Sequence, residues 1–397
     1  MGKRAIALAG GGPAAGLHIG ALQAFEDAGI EFDVWALSCI GAWVGIVYNT
    51  RPGPARAQQT LDFFREKVFR DDRTYKWFPV NRAFAPNFGK FADAWRDFAT
   101  QSVDSTLFDA DKVVDAWTRS AHFWSGLQGP RSHAAVNEWW LNDVLAVNPV
   151  SRFFTSMMFR SQVNGLANIY YPDSPLLASL HIEELEQLEC DIYHNAWNLD
   201  RQELQLFHNH PTRFPRKAGT PPYRPITPRS LCGCSALPFV EETVQIPDDG
   251  DPANVCDYCE GALVDTVNFK DMLEDYQDLS EIWVSRIVDF TQVRKPQSLH
   301  DALANLCMLF AAEVGANDVK LFKYHLRDRR DPKPTLHEIP ISKPTQVSFD
   351  WTVSNLQQGF DEGRRAAKQE IERSRRARVT VRSGWKQRPV GDTSMPA

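Results

Sequence analysis

The stretch that decides the fold is AIALAGGGPAAGLHIGALQAFEDAGI, residues 5–30. Its first five residues form a continuous apolar run, which is typical of a short strand buried on both faces. Three glycines turn the chain, and Ala21, Phe25 and Ala28 then recur at helical spacing as far as Gly29, a typical residue at the end of a helix. The stretch therefore predicts a strand, a glycine loop and a helix.

The same alternation continues directly after this stretch. FDVWALS (residues 32–38) reads as a second strand, and residues 42–48 begin a second helix. Further strand-like segments lie at 190–199, 203–209 and 280–290, and LHDALANLCMLFAAEV reads as a buried helix. Strands that alternate with helices predict a three-layer α/β fold with a mainly parallel central sheet.

Two regions depart from this rhythm. Residues 51–160 are rich in aromatic and charged residues and predict a helical insertion. It is either a lid over an apolar acyl site or a plain helical layer. Residues 346–397 predict a basic C-terminal helix and tail, so we divide the chain into an α/β domain over 1–345 and this C-terminal segment.

The charge distribution limits the possible partners. The chain of 397 residues has a formal net charge of -6, yet residues 364–388 hold ten Lys or Arg and two acids. The remainder is strongly acidic, and we therefore expect no nucleic-acid binding. The basic helix is either a solvated face or a contact for an anionic membrane or an acidic carrier protein.

Cysteine usage and hydropathy suggest a cellular compartment. No uninterrupted apolar run approaches the roughly 18 residues that cross a bilayer, and the run at residues 5–9 is too short for a signal peptide. Seven cysteines without an export signal indicate mostly free thiols. We therefore expect a cytoplasmic protein.

The glycine loop has a chemical meaning of its own. Gly10, Gly11 and Gly12 let backbone N–H groups converge on one point without interference from Cβ atoms, which suits a phosphate or an oxyanion. The spacing matches neither a Walker A loop nor a G-x-G-x-x-G fingerprint, and no acidic residue ends the second strand to hold a ribose. A nucleotide-binding α/β protein remains an alternative.

Cys39 lies in the turn between the second strand and the second helix, within ALSCIGAWVG (residues 36–45). This position exposes a side chain at a helix N-terminus, where the helix dipole lowers the pKa of a thiol. Gly41 gives the helix room to leave the turn sharply. Cys39 is either a nucleophile or an ordinary buried cysteine.

Taken together, GGGPAAGLHIGALQAFEDAGI, LSCIGAWVG, SALPFVEETVQI and EGALVDTVNF, in that order, resemble the patatin-like phospholipase family. That family has a glycine-rich oxyanion loop, a G-x-S-x-G elbow and a distant D-G-G/A motif. The resemblance implies a Ser–Asp dyad that works without a catalytic histidine, a metal or a cofactor.

Carried over by position, the family's roles fall on residues that partly differ from its pattern. The oxyanion loop falls on Gly10, Gly11 and Gly12, the nucleophile on Cys39, the base on Glu260, and supporting roles on Gly41, Gly261 and Asp265. Leu37 replaces the first elbow glycine, and Pro13, Ala14 and Ala15 stand where the family often has a basic residue. Ser38 is one residue off the elbow and should point into the packing.

Cysteine and glutamate keep the chemical class of the residues that they replace, which favours an active dyad over a decayed one. A thiolate leaves more readily than an alkoxide, so a thiol that attacks an ordinary ester tends to be expelled again. We therefore expect hydrolysis or transfer of a thioester or another activated acyl group, such as one bound to CoA or to a carrier. The alternative is a catalytically silent fold that binds lipids or acyl carriers.

Two further patterns give weaker hypotheses. CGC at 232–234 and CDYC at 256–259 hold four thiols that could bind zinc, although C-x-C suits tetrahedral geometry poorly. We favour small residues near the sheet ends and expect no metal. The histidines form no H-E-x-x-H pattern, and we interpret them as ordinary surface residues.

Overall fold

A computed structural model describes residues 2–100, 110–126, 132–214, 220–248, 251–269, 271–328, 333–341, 345 and 347–385. The predicted tail beyond residue 385 lies outside this range. The strands are β1 Lys3–Leu8, β2 Val34–Leu37, β3 Ala85–Pro86, β4 Gly165–Asn168, β5 Asp191–Asn198, β6 Glu203–His208, β7 Arg224–Pro225, β8 Phe239–Glu241, β9 Val244–Asp248, β10 Asp251–Glu260, β11 Leu279–Ser285 and β12 Thr335–Ile339. The helices are α1 Ala15–Ala28, α2 Ile40–Asn49, α3 Arg56–Lys67, α4 Asp72–Trp77, α5 Phe88–Thr100, α6 Ala110–Ser125, α7 His133–Trp139, α8 Pro149–Phe159, α9 Pro228–Ser235, α10 Met272–Asp275, α11 Leu299–Asp328 and α12 Val353–Trp385.

The main sheet has the strand order β12-β11-β1-β2-β5-β10-β9, with β6 and β7 attached beside β5. The strands from β12 to β5 are parallel to one another, whereas β6 and β10 run antiparallel to β5, and β9 runs antiparallel to β10. The first strand of the chain therefore lies inside the sheet, which explains why its residues are apolar on both faces.

Alternate residues of the inner strands enter two separate cores. Ile6 and Leu8 of β1 pack in a core with α1, α2, α3 and α12. Ala5 and Ala7 face the opposite core, which includes Phe322 of α11. Helices therefore cover both faces of a mainly parallel sheet, and the predicted three-layer α/β class is confirmed.

The chain divides into two compact units. The larger contains the main sheet, and the smaller comprises residues 85–168 and 238–242. In the smaller unit, β3, β4 and β8 form a short sheet, and Phe153 of α8 packs edge-to-face against Trp95 and Phe98 of α5. Its role as a lid stays a prediction.

The C-terminal helix α12 packs closely against α1 through small residues. A Cβ atom on Gly20 would lie 1.9 Å from the carbonyl oxygen of Phe360, and one on Gly363 would lie 2.1 Å from that of Leu17. Both helices thus have glycine where the backbones approach each other most closely.

Several cations of α12 are paired within the protein. Arg364 and Lys368 contact Asp27 of α1 at 2.7 and 3.2 Å, and Arg373 contacts Glu370 at 2.8 Å. The two pairs with Asp27 orient part of the basic helix towards α1. A contact with lipid or a carrier protein through this helix stays a prediction.

Helix α11 corrects the expectation that no segment could span a membrane. It has 30 residues and meets the length and composition of a membrane-crossing helix. Our criterion required an uninterrupted apolar run, whereas α11 reaches its hydropathy with isolated polar residues interspersed. Val319, Phe322 and Leu326 join the core beneath the sheet, but only 28% of the apolar window of α11 is buried, so the prediction of a buried helix here is wrong for most of its length.

Candidate functional site

The candidate site forms where the carboxyl ends of β2 and β10 meet along one edge of β5. β2 runs parallel to the first half of β5, and its last residue, Leu37, pairs with His194. β10 runs antiparallel to the second half of β5, and its last residue, Glu260, pairs with Ala196. Because β6 occupies the other edge of β5, the carboxyl ends of β2 and β10 face each other across Asn195. This is the edge of an α/β sheet at which ligands usually bind.

Cys39 occupies a strained elbow between β2 and α2. Its φ and ψ angles are 49° and -125°, a backbone conformation that non-glycine residues rarely adopt and that is concentrated at functional sites. A Cβ atom on Gly41 would lie 2.2 Å from the carbonyl oxygen of Leu8. Glycine is therefore required for α2 to leave the elbow so close to β1.

The missing first glycine of the elbow is compensated elsewhere. A Cβ atom on Gly45 would lie 2.6 Å from Leu37 Cδ2 and 2.7 Å from its Cδ1. The Leu37 side chain thus occupies space that Gly45 of α2 leaves open. The small residue therefore stands at position 45 of the helix instead of position 37 of the strand, and the tight turn at the elbow is kept.

A network of buried hydrogen bonds lies directly behind the elbow. Ser38 Oγ donates to Asn195 Oδ1 at 2.9 Å, and Asn195 Nδ2 donates to the Asp265 carbonyl at 2.7 Å. Asp265 Oδ1 accepts from the Asn268 N–H at 2.6 Å, and Asn268 Nδ2 donates to the Leu37 carbonyl at 3.0 Å. We call Ser38, Asn195, Asp265 and Asn268 the supporting network. Ser38 points into the packing, as its position predicts.

Glu260 and Cys39 form a buried pair. The two side chains interact electrostatically, and only 7% of Glu260 and 8% of Cys39 is exposed. Burial raises the pKa of the Glu260 carboxyl to about 7, and the interaction with Cys39 offsets part of the rise. A carboxyl group that titrates near neutral pH has the proton affinity required of a general base. We call Cys39 and Glu260 the reacting pair.

The thiol differs from the sequence-based expectation. Burial and then the charge of Glu260 raise the pKa of Cys39 well above its usual range, although the Ile40 N–H at the helix start lowers it. The expected lowering by the helix N-terminus is therefore outweighed. Cys39 rests as a thiol, so it can attack only if its proton leaves as the new bond forms.

The glycine loop lies beside the reacting pair. A Cβ atom on Gly10 would lie 3.2 Å from the Cys39 Cβ, so glycine leaves the space next to the sulfur-bearing residue open. The Gly10 N–H donates to the Thr266 carbonyl at 3.3 Å. Within the described part of the chain, the N–H groups of Gly11 and Gly12 donate to no acceptor. Of the three predicted donors, these two are available to an oxyanion.

His18 is a contributor that the sequence analysis missed. It is fully buried on α1, and its Nε2 donates to the Ala9 carbonyl at 2.9 Å. Its Nδ1 therefore accepts from Ser285 Oγ at 2.8 Å. Burial lowers the pKa of His18 to about 4, so the ring is neutral. His18 thus anchors the residue that precedes the glycine loop.

The expectation of surface histidines is wrong for three of them. His18, His194 and His208 are fully buried. His194 and His208 occupy the inner strands β5 and β6, where they bond to Ser230 and to the Tyr276 hydroxyl. Hydropathy alone does not reveal that hydrogen bonds can accommodate a buried histidine, and among the described residues only Nδ1 of His194 lacks a partner in these three rings.

The cysteines surround Glu260 without forming a recognisable metal site. Cys234 Sγ accepts the Cys39 N–H at 3.1 Å, and burial, with a smaller contribution from the charge of Glu260, raises the pKa values of Cys234, Cys259 and Cys307. Among the residues that the structure describes, no group of three or more His, Cys, Asp or Glu side chains is placed to hold a metal ion.

Comparisons with known proteins place this geometry in a family. The sequence pattern described as patatin-like phospholipase matches residues 6–273. A search of curated proteins finds no match. Among solved structures, VipD from Legionella pneumophila is 10% identical with a TM-score of 0.31, and the alignment covers 93% of this chain and 67% of VipD. The human GIVD cytosolic phospholipase A2 is 12% identical with a TM-score of 0.43, and the alignment covers 98% of this chain but 61% of the human protein.

The family pattern extends from β1 through the elbow and the reacting pair to α10, more than half of the chain. The resemblance stated from the four quoted segments is therefore confirmed. This chain belongs to the patatin-like phospholipase family, whose members are typically acyl hydrolases.

Proposed function

We propose that the protein cleaves or transfers an acyl group through Cys39 as nucleophile and Glu260 as general base. The observation that supports this most strongly is the burial of the Cys39 thiol together with a carboxyl group, Glu260, that interacts with it and whose pKa burial raises to about 7. Both residues lie within the range that matches the patatin-like phospholipase pattern, and the family resemblance implies the nucleophile and base roles for them. The strained backbone at Cys39 adds support, because strain of this kind is concentrated at functional sites.

The first half of the reaction forms an acyl-enzyme. As the sulfur of Cys39 attacks the acyl carbonyl carbon, the Glu260 carboxylate accepts the thiol proton. The N–H groups of Gly11 and Gly12 donate to the oxyanion of the tetrahedral intermediate. The intermediate collapses, the leaving group takes the proton from Glu260, and the acyl group remains on sulfur.

The second half releases the acyl group. Water or another nucleophile gives its proton to Glu260 and attacks the acyl-cysteine carbonyl, and the Cys39 sulfur leaves and recovers its proton. Exchange of one thioester for another is close to balanced, whereas formation of a thioester from an ordinary ester is unfavourable. We therefore propose a thioester or another activated acyl compound, carried by CoA or a carrier protein, as the substrate.

A second candidate is a silent fold that binds lipids or acyl carriers. The observation that favours it is the buried thiol, whose raised pKa leaves almost no thiolate at neutral pH. We prefer catalysis, because concerted proton transfer to Glu260 requires no free thiolate.

We also propose that the protein works in a reducing compartment such as the cytoplasm, since all seven cysteines are free thiols.

Intact-mass detection of an acyl-enzyme across matched panels of thioesters and oxygen esters tests the proposal. We expect a mass increase equal to the acyl group with thioesters, its loss in Cys39→Ala, and its retention in Cys307→Ala. Cys307 is a suitable control because it is half-buried and also lies near Glu260. Labelling that survives Cys39→Ala, or none with any donor, favours the silent fold.

A further inference from the structure

A cationic groove lies apart from the reacting pair, along the C-terminal half of α11. It has a volume of about 480 Å³. Its wall consists of Arg286, Ala316, Val319, Lys320, Lys323, Tyr324, Arg327 and Glu338. The volume falls in the range of small-molecule binding sites.

The cations line one face of a single helix. Lys320, Lys323 and Arg327 follow one another at spacings of three and four residues, and Arg286 enters from the segment after β11. Cations at these spacings repel one another and destabilise an isolated helix by a few tenths of a kcal/mol per pair. Stability of the fold alone does not explain their convergence on one concave surface.

The groove has little negative charge of its own. Glu338 of β12 is the one carboxylate in the wall, and it pairs with Lys323. Within the described part of the chain, Arg286, Lys320 and Arg327 form no ion pair within 4 Å. Three cations therefore remain available to an anion that enters the groove.

One wall of the groove also presents an aromatic surface. Tyr324 is 45% exposed, and the Arg327 guanidinium carbon lies 5.2 Å from the centre of its ring. An exposed ring next to a guanidinium group suits a planar base, which can stack on both. Lysine and arginine side chains are the usual partners of phosphate groups.

Arg286 lies alongside α11, because a Cβ atom on Gly315 would lie an ordinary contact distance of 3.5 Å from Arg286 Cδ. The nearest carboxylate on α11, Asp318, accepts from the backbone N–H groups of Thr266 and Val267 at 2.8 and 3.2 Å. The charge of Arg286 also acts on Asp318, whose hydrogen-bonding capacity is largely used by these two N–H groups.

We propose that this groove binds a phosphate-bearing ligand of the nucleoside diphosphate class. The cations hold the phosphates, and Tyr324 stacks on the base. The inference uses none of the residues assigned to acyl chemistry and does not depend on the proposed function.

Isothermal titration of the full chain with pyrophosphate, ADP and adenosine tests the proposal. We expect ADP to bind about tenfold more tightly than pyrophosphate and adenosine to bind weakly or not at all. Lys320→Glu combined with Arg327→Glu should weaken ADP by at least tenfold. Tyr324→Ala should weaken ADP but leave pyrophosphate unchanged.

Two controls make the result decisive. Lys295→Glu reverses an exposed cation outside the groove and should leave binding unchanged, and thermal melts should show that every variant is folded. Absence of binding at millimolar ADP, or equal losses in Lys295→Glu, would overturn the proposal. A flotation assay with phosphatidylglycerol vesicles measures membrane binding in parallel. If the protein binds the vesicles but not ADP, the groove is a contact for a lipid surface and the proposal is overturned.

Discussion

The reacting pair and the supporting network both adjoin the elbow, but they differ in how their polar groups are stabilised. In the supporting network, each of Ser38, Asn195 and Asp265 has a hydrogen-bond partner at ordinary distance. In the reacting pair, two ionisable groups are buried together and both have raised pKa values. A perturbed pair is therefore tolerated in front of a network whose polar groups are mostly satisfied, with Asn268 Oδ1 as the one buried side-chain oxygen of the four residues that has no partner in the described part of the chain.

Removal of the proposed nucleophile, Cys39, should have the largest effect on turnover. Cys39→Ala should lower turnover of a thioester at least about 10⁴-fold, because covalent catalysis is lost. A continuous assay of thiol release measures this, with Cys307→Ala as the control that keeps its rate. Full activity in Cys39→Ala would end the covalent mechanism.

Removal of the base should cost somewhat less. Glu260→Gln should lower kcat/KM about 10³-fold, since a positioned base contributes 10²- to 10⁴-fold. The wild-type rate should rise with pH up to about 7 and then level off, because only the deprotonated carboxyl accepts the thiol proton. Below that pH it should fall about tenfold per unit, and the variant should lack this limb. A pH–rate profile that is the same in both proteins would reject Glu260 as the base.

The same substitution should stabilise the protein at alkaline pH. The folded pKa of Glu260 is about 7, above its ordinary value of 4.5, so the folded state binds the proton more tightly. The wild type is then fully stabilised below pH 4.5 and loses about 3 kcal/mol as the pH rises through 7. The advantage of Glu260→Gln in urea unfolding should grow by about that amount between pH 4.5 and 8. A difference that does not change with pH would contradict the burial of a charge.

Replacement of sulfur by oxygen sharpens the distinction between a tuned and a decayed site. Cys39→Ser should lose about 10²-fold in thioester turnover, because a hydroxyl needs a stronger base than a carboxyl with a pKa near 7. Kinetics with paired thioester and oxygen ester donors measure this effect. Esterase activity that increases in the serine variant would mean that Cys39 is a remnant of an ordinary serine site.

Changes in the supporting network should act on stability rather than on chemistry. Asn195→Ala removes the shorter bond of Ser38 and the shorter bond of the Asp265 carbonyl and leaves only the 3.3 Å bond between the two, which should lower the free energy of unfolding by about 1 kcal/mol. Urea unfolding tests this, with the exposed Asn317→Ala expected to change it by less than about 0.5 kcal/mol. Turnover per folded molecule should fall less than tenfold, and a larger loss would move Asn195 into the reacting pair.

The parts of the site that were predictable are those encoded by neighbouring residues. The glycine loop and the turn at Cys39 follow from short segments with strong periodicity and small residues. The approach of Glu260 to Cys39 depends on where β2 and β10 pair along β5, a long-range register that no local pattern specifies. It came from the family resemblance alone.

Other features were not predictable because they depend on what surrounds a residue in three dimensions. The helix start at Cys39 predicted a lowered thiol pKa, but burial next to Glu260 reverses the direction. The exchange of roles between Leu37 and Gly45 is visible only once strand and helix are packed. Histidine burial likewise depends on partners such as Ser285, 267 positions from His18.

The packing of α1 against α12 has a consequence for the order in which the chain matures on the ribosome. The glycine loop leads directly into α1, whereas α12, the helix that covers α1, begins about 340 residues later, at Val353. At 5 to 20 residues per second, the N-terminal segment waits roughly 20 to 70 seconds for this partner. The face of α1 that α12 covers therefore stays without its final partner until that segment has been made.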